Sequence, residues 1–424
     1  MQNLKVGIIG GGFMARTHTA AARAAGAEVV GLTSSSPERS AAAAAPLGVE
    51  PVAGVEELIS RSDVVHVCSP NALHAEHVRA ALQAGRHVVC EKPLAVDAEE
   101  AAALASLAEE AGVVASVPFV YRFHPMARQA REETASGRVG RLLTVRGAYL
   151  QDWLLDAGES NWRVDPQVAG RSRAFGDIGS HLVDLLEFVS GERIVRLSAA
   201  TAIAHPRRGG VEVVTEDAAA LTVELSGGAL GSLMVSQVNA GRKNQLTLEL
   251  AGADGSVFFD QEHPDELWLG RTDGSVTISR DPATMGQDAS RLSVVPSGHP
   301  MGYLDAFTAF ARDTYARIGG EHLPGLPTFA DGARANRIID AVLASAESGA
   351  GWTSHRSANR SARRSLPCDH SDLRRSDRIE SPIPGSEKER HDHRTRLPSR
   401  HPVHRTVGRH AVRGAGGPRR RMGL

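Results

Sequence analysis

Leu4-Lys5-Val6-Gly7-Ile8-Ile9-Gly10-Gly11-Gly12-Phe13-Met14-Ala15 begins as an apolar run, turns through glycines and enters an alanine-rich stretch that ends at Gly26. The pattern predicts a strand over 4–9, a G-x-G-x-x-A turn, and a helix from about Phe13 to Ala25 that Gly26 stops. In such a turn Gly10 makes the tight bend and Gly12 lets the backbone approach a pyrophosphate. Ala15 keeps the helix close to the sheet, and the helix N-terminus faces the phosphates. A bare glycine pattern of this kind occurs by chance. Its weight here comes from the strand before it and the helix after it, which make Gly10, Gly12, Phe13 and Met14 candidate cofactor contacts.

The alternation continues outward from that turn. Strands are expected at Ala27–Thr33, Asp63–Cys68, His87–Cys90 and Val113–Val120, with helices at Pro37–Ala45, Ala72–Ala84 and Ala98–Ala111. Near-continuous apolar strands separated by helices argue for a parallel, doubly wound sheet covered on both faces, the Rossmann arrangement. The second strand of such a unit normally ends in an acid that binds ribose hydroxyls, but here Ser34, Ser35 and Ser36 follow Thr33, with Arg39 a turn later. Serines and an arginine suit a phosphate, which leans the reading toward NADP or dual use, although Ser36-Pro37 also reads as an ordinary helix cap. Ser69-Pro70-Asn71 closes the strand over 63–68. Asn71 is placed to bind a nicotinamide ribose or to cap a helix, and His74 to line the site or to be a partly buried polar residue.

Cys90-Glu91-Lys92-Pro93 ends the next strand with a carboxylate and an ammonium. Open α/β sheets bind ligands at the carboxyl ends of their strands. A lysine there can hydrogen-bond a substrate hydroxyl and stabilise charge developing on its oxygen. Taken alone, such a pair is as readily a solvated ion pair.

Beyond Val120 the pattern changes. Tyr121-Arg122-Phe123-His124-Pro125 leads into a short helix, and strands are expected at Leu142–Tyr149, Asp217–Leu225, Ala229–Val238, Gln245–Ala251, Ser256–Asp260, Glu266–Leu269 and Ser275–Ser279. Ser226-Gly227-Gly228 and Ala253-Asp254-Gly255 are hairpin connections. Sequential strands and short turns argue for a large, open, mainly antiparallel sheet in an α+β domain, one face on helices and the other free to meet a second subunit. Helices are expected at Met301–Tyr315 and Ala330–Ala346.

Between the first of these strands and the rest lies Gly176-Asp177-Ile178-Gly179-Ser180-His181-Leu182-Val183-Asp184. Asp177 and His181 are four apart and project from one side of a helical turn. An imidazole beside a carboxylate is a suitable general base that the acid can orient. No third Cys or His at ligand spacing supports zinc, so no metal is expected. Trp162-Arg163 is either a core tryptophan with a surface arginine or part of a sugar-binding wall.

These residues together resemble the Gfo/Idh/MocA family of nicotinamide-dependent sugar and polyol oxidoreductases, over about residues 4 to 352. The matching runs are Gly10-x-Gly12-x-x-Ala15, Ser69-Pro70-Asn71 with His74, Glu91-Lys92-Pro93, Tyr121-Arg122-Phe123, and Asp177-x-x-x-His181-x-x-Asp184. The resemblance implies a Rossmann domain over 1–122 and a substrate and oligomerisation domain over 123–352. It also implies that Lys92 polarises a substrate hydroxyl, that His181 takes its proton, and that Asp177 positions substrate and base. Ser69, Asn71, His74, Glu91 and Arg122 would serve the cofactor, NAD or NADP. Tyr149, Gln151, Trp162, Arg163 and Asp184 would serve a sugar, anhydrosugar or inositol-like polyol. Ser34 in place of an acid departs from many members. Two rivals remain, a non-catalytic nicotinamide sensor on the same fold and a redox-neutral glycosidase or lyase.

The net charge of −1 hides an asymmetry. From Thr353 onward there are 18 Lys+Arg against 7 Asp+Glu, which leaves 30 basic and 42 acidic residues in the first 352. The acidic body argues against a nucleic-acid-binding core. Three cysteines imply no disulfide framework, and the first residues form a strand rather than a leader, so a cytoplasmic homodimer or homotetramer that does not enter a membrane is the expectation. The segment 353–424, rich in Arg, His, Ser and Pro and without an aromatic residue, is expected to be disordered: a frameshift or read-through product, a solvated appendage without a role, or, as the less favoured reading, a basic arm for nucleic acid or acidic surfaces.

Overall fold

A computed structural model describes residues 4–159 and 161–354; the expectation for 355–424 lies outside the described residues. The first half runs β1 (Lys5–Ile9), α1 (Phe13–Ala24), β2 (Glu28–Thr33), α2 (Pro37–Ala44), α3 (Val55–Ser60), β3 (Val64–Val67), α4 (His74–Gln83), β4 (His87–Cys90), α5 (Ala98–Ala111) and β5 (Ala115–Ser116). All pairings are parallel, in the order β2-β1-β3-β4-β5. Beside β2, Leu32 also pairs with Pro51 in a single parallel bridge. Counting that vestigial strand, the order is the 3-2-1-4-5-6 of dinucleotide-binding folds, and the strand order reverses between β1 and β3. Central strands β1, β3 and β4 bury Ile8, Val65 and Val89 completely, as a sheet covered on both faces requires.

The strand expected over Val113–Val120 survives only as Ala115–Ser116. Pro118 has no N–H to offer the ladder and restricts Val117, so the chain leaves the sheet and coils through a tight turn over Val120–Phe123. Helix α3 was not expected; six residues are too few for its periodicity to register.

The second half continues with α6 (Pro125–Ala135), β6 (Leu142–Leu150), α7 (Pro166–Ala169), α8 (Ser180–Ser190), β7 (Ile194–Ala202), a small hairpin of β8 (Arg207–Arg208) and β9 (Val211–Glu212), then β10 (Ala218–Leu225), β11 (Leu230–Ser236), β12 (Gln245–Gly252), β13 (Ser256–Asp260), β14 (Glu266–Arg271) and β15 (Gly274–Ser279). It closes with α9 (Gln287–Ser290), α10 (Tyr303–Ile318), α11 (Phe329–Ser348) and β16 (Trp352–Thr353). Nine strands form one sheet ordered β15-β14-β13-β12-β6-β11-β10-β7-β16. Neighbours are antiparallel except β6 and β11 at its centre, which run parallel from Leu230↔Thr144 to Ser236↔Leu150. The two expected hairpins do join β10 to β11 and β12 to β13. Strand β7 was missed because its outer half is a run of small residues with weak alternation.

Alternation on β10 puts Ala219, Leu221 and Val223 inward, where they meet Leu182, Leu185 and Leu186 of α8. Burying each of the valine and leucine side chains contributes about 1.5–3 kcal/mol. The opposite face carries exposed Leu230 and Met234. Helices α10 and α11 return to the first sheet: Phe307 and Phe310 pack with Val6 and Ile8, and Phe329 and Ala333 with Val88. No helix among the described residues is long and apolar enough to cross a membrane.

Candidate active site

A cleft of about 840 Å³ opens at the carboxyl ends of β1, β2, β3 and β4. Gly10, with φ of +125°, turns the chain there, and a Cβ on it would collide with the Cys68 carbonyl. No protein atom lies within 4 Å of a Cβ built on Gly12, so that glycine leaves its space open to a ligand. Helix α1 starts at Gly12 without a side-chain cap, and its first-turn N–H groups remain for an anion. The cradle therefore fits a dinucleotide pyrophosphate.

Phe13, Met14, Ser34, Ser35 and Arg39 line the same cleft, together with Arg16, which the sequence reading did not single out. Arg39 Nη1 donates to Ser35 Oγ at 3.1 Å, while Ser36 Oγ caps α2 by accepting from the Arg39 N–H at 3.3 Å. The helix-cap role foreseen for Ser36 is thus present, beside an arginine held to Ser35. Arg39 is exposed and free to turn toward a phosphate.

At the other end of the cleft lie Ser69, Asn71, Glu91, Lys92, Trp162 and Arg163. Asn71 is spent in part on the fold: Nδ2 donates to the Ala169 carbonyl at 2.9 Å. His74 also lines the wall, but it is fully buried, its ring nitrogens 2.9 Å from the carbonyls of Ser69 and Pro93. It ties the ends of β3 and β4 together and does not present a ring nitrogen to a ligand. Ser69 Oγ is 3.0 Å from His77 Nδ1, a contact that sequence spacing did not suggest.

Lys92 Nζ donates to Asp177 Oδ1 at 2.7 Å and to the Asp177 carbonyl at 2.8 Å. Gln237 Nε2 donates to Asp177 Oδ2 at 2.8 Å, and Arg163 Nε stands 3.4 Å from Oδ1. Burial alone would raise the Asp177 pKa, but the Lys92 and Arg163 cations outweigh it and hold the carboxyl well below the usual range. The expected partnership of Asp177 with His181 is absent. Residues Phe175–Gly179 form a π-helical turn ahead of α8, so a separation of four does not align the two side chains. Asp177 serves Lys92 instead.

His181 packs edge-on against Tyr121, with ring centroids 5.0 Å apart, and against Phe119 at 5.8 Å. Its Nδ1 is buried without a hydrogen-bond partner, so Nε2 is the nitrogen left for a ligand. Burial first, then the Lys92 ammonium, push its pKa down to about 3. The ring is thus held neutral next to a fixed cation.

Arg122 and Asp184 need correction as ligand contacts. Arg122 Nε donates to Asp184 Oδ2 at 2.7 Å, its Nη2 bonds Asp184 Oδ1, and Asp331 Oδ1 lies 3.2 Å away. Both are buried in this bridge between α8 and α11, away from the cleft. Tyr149 and Gln151 stand behind His181 in a network that the reading missed: Tyr149 Oη and Gln151 Nε2 both donate to Asn244 Oδ1, at 2.8 and 2.7 Å, and Tyr149 Oη also bonds Tyr121 Oη. Trp162 is partly exposed, with the Arg163 guanidinium 4.5 Å above its ring. Among the described residues no cluster of His, Cys, Asp or Glu is placed to hold a metal ion.

The oxidoreductase family with an NAD-binding Rossmann fold, Gfo/Idh/MocA, matches residues 4–119, and the C-terminal domain of that family matches residues 127–258. Levoglucosan dehydrogenase of Pseudarthrobacter phenanthrenivorans is 33% identical over 393 residues, 82% of this chain and 97% of its own. Among solved structures, levoglucosan dehydrogenase in complex with NADH and levoglucosan superposes with a TM-score of 0.78 at 32% identity, covering 83% of this chain and 99% of its own. An oxidoreductase domain protein from Kribbella flavida gives 0.77 at 35% identity, with the same coverage.

Proposed function

The chain belongs to the Gfo/Idh/MocA family of oxidoreductases, and on that premise we propose that it moves hydride between NAD(P) and a secondary alcohol of a sugar or anhydrosugar. The observation that carries the reading is the ammonium of Lys92, fixed by Asp177 at the end of the cleft beside the neutral ring of His181. A bound nicotinamide would supply the hydride acceptor, and the glycine cradle and the N-terminus of α1 would hold its pyrophosphate. Lys92 Nζ, with one proton free beyond its two bonds to Asp177, donates to the substrate oxygen and stabilises charge as it develops there. His181 accepts the hydroxyl proton at Nε2. Asp177 keeps the ammonium aimed, and the aromatic wall of Phe119 and Tyr121 keeps water from the imidazole.

Trp162 and Arg163 form the outer wall against which the C–H face of a sugar ring would lie, and Tyr149 and Gln151 set the far wall through Asn244. Ser34, Ser35 and Arg39 favour NADP or use of both cofactors. The exposed apolar residues of the nine-stranded sheet, with a groove of about 500 Å³ beside Arg146, Glu249 and Trp268, are the surface for a second copy of the chain; sedimentation of a monomer at micromolar concentration would refute that assignment.

Nicotinamide absorbance, followed with NAD or NADP across a panel of sugars, anhydrosugars and inositols, tests the reaction. Reduction with one substrate class is the expected result. Silence across the panel with cofactor binding intact would replace the dehydrogenase with a sensor or a redox-neutral enzyme.

A further inference from the structure

Behind Glu91, on the side away from the cleft, the described residues contain an unbroken buried chain of hydrogen bonds. His18 Nε2 is 2.9 Å from Glu91 Oε1, His18 Nδ1 is 2.9 Å from His66 Nδ1, and His66 Nε2 is 3.1 Å from Tyr315 Oη. The members come from α1, β3, the end of β4 just past Cys90, and α10, and none exceeds 6% exposure. The other Glu91 oxygen, Oε2, accepts the Lys92 backbone N–H at 3.1 Å. Phe307 closes over the His18 ring, centroids 5.2 Å apart.

Hydrogen-bond accounting gives this chain a direction. Two Nδ1 atoms in contact need one donor and one acceptor. If His18 donated there, His66 would have to carry its proton on Nε2 and give it to Tyr315, leaving the buried tyrosine hydroxyl hydrogen with no acceptor. The reverse order satisfies every group: Tyr315 Oη–H to His66 Nε2, His66 Nδ1–H to His18 Nδ1, His18 Nε2–H to Glu91. Leaving a buried donor unsatisfied costs more than the bond it would have made.

We propose that Tyr315, His66 and His18 form a one-way chain of donors that fixes the Glu91 carboxylate and, through its second oxygen, holds the Lys92 backbone in register for catalysis. His18 and His66 are positioning residues, since neither lines the cleft. The proposal rests on Lys92 being the group that polarises the substrate. It goes beyond that reading by assigning opposite ring tautomers to two histidines remote from substrate and by making the aim of Lys92 depend on them.

Ring-nitrogen correlations of the 15N-histidine-labelled full chain, assigned with His18→Gln and His66→Gln, read the tautomers directly. The expected result is a proton on Nε2 of His18 and on Nδ1 of His66. A proton on Nε2 of His66, or a doubly protonated ring at either site, overturns the chain. His18→Ala is expected to lower kcat about tenfold with cofactor KM unchanged. His18→Gln, whose amide can restore the donor to Glu91, is expected to recover most of that loss. Equal activity of the two variants, at whatever level, overturns the positioning role. Lys92→Ala, assayed alongside, separates the two claims. If it is inactive while His18→Ala is fully active, the chain's role falls and the reading of Lys92 stands. If Lys92→Ala is active, the reading of Lys92 falls first and the role built on it falls too.

Discussion

Lys92 Nζ is gripped by both the carboxylate and the backbone carbonyl of Asp177, 85 residues further along the chain. The ammonium that β4 delivers to the cleft is therefore aimed by the turn that precedes α8. Lys92→Ala is expected to lower turnover by about 10²–10³-fold, the loss typical of removing a preorganised donor, while fluorescence titration shows cofactor binding nearly unchanged. Turnover near that of the parent protein would remove Lys92 from the reaction.

Asp177→Asn keeps the carbonyl bond and removes the charge. Nζ then loses its strongest tether, and kcat is expected to fall about tenfold or more, the value of a charge-assisted bond. Because the Asp177 charge raises the His181 pKa against the larger effect of burial, the variant's imidazole should also become a weaker base. Parallel pH–rate profiles of parent and variant check both effects, and an unchanged kcat would show that the carboxylate is dispensable.

The acid limb of kcat/KM for oxidation is expected well below pH 6, because a ring pushed down to about 3 stays unprotonated there. Initial rates between pH 4.5 and 9 settle this. A limb centred near 6.5, the value of a free imidazole, would transfer the base role to another group.

Stability should follow the same sign. Burial lowers His181 to about 3 and His124 to about 4, and it also lowers His66 and His74. The unfolded chain binds protons on these rings near pH 6.5 and the folded chain does not. Their stabilising contribution is thus complete above pH 6.5 and is lost as pH falls toward the depressed values. Each such group adds a slope of up to about 1.4 kcal/mol per pH unit in that window. Urea midpoints at pH 7 and pH 5 measure it, and equal midpoints would contradict the burial argument.

Ser34→Asp should move the kcat/KM ratio toward NAD, because a carboxylate suits ribose hydroxyls and repels a 2′-phosphate. Arg39→Ala should weaken NADP use alone. A ratio that neither substitution moves would place cofactor selection elsewhere in the cleft.

Leu182→Ala should cost about 2–5 kcal/mol, since the side chain is completely buried where α8 packs on the large sheet. Thermal unfolding provides the comparison. A loss under 1 kcal/mol would mean that the core collapses around the cavity.

What the residues announced in advance was local. The glycine turn and Glu91-Lys92-Pro93 are contiguous runs whose neighbours declare strand or helix, and their positions at strand ends follow directly. Partnerships across long separations were not legible. Arg122, Asp184 and Asp331 meet across up to 209 residues, and no periodicity links them. The π-helical turn at Phe175–Gly179 defeats the i, i+4 rule by its wider winding, which redirected Asp177 from His181 to Lys92. The parallel β6–β11 pair was hidden for a related reason: alternation tells which face a residue takes, never which strand lies beside it.

Helix α11 places Phe329, Ala333 and Ala335 in the core of the first sheet, and Ile338, Ile339 and Val342 one to three turns later in the core of the second. Asn336, between them, donates to the Ala95 carbonyl at 2.7 Å. A cut near residue 122 would thus sever a boundary in the chain that is no boundary in the packing. Modular exchange of nucleotide-binding halves between relatives would have to carry residues 303–348 as cargo, and a grafted half without them would present its bare apolar seam to water.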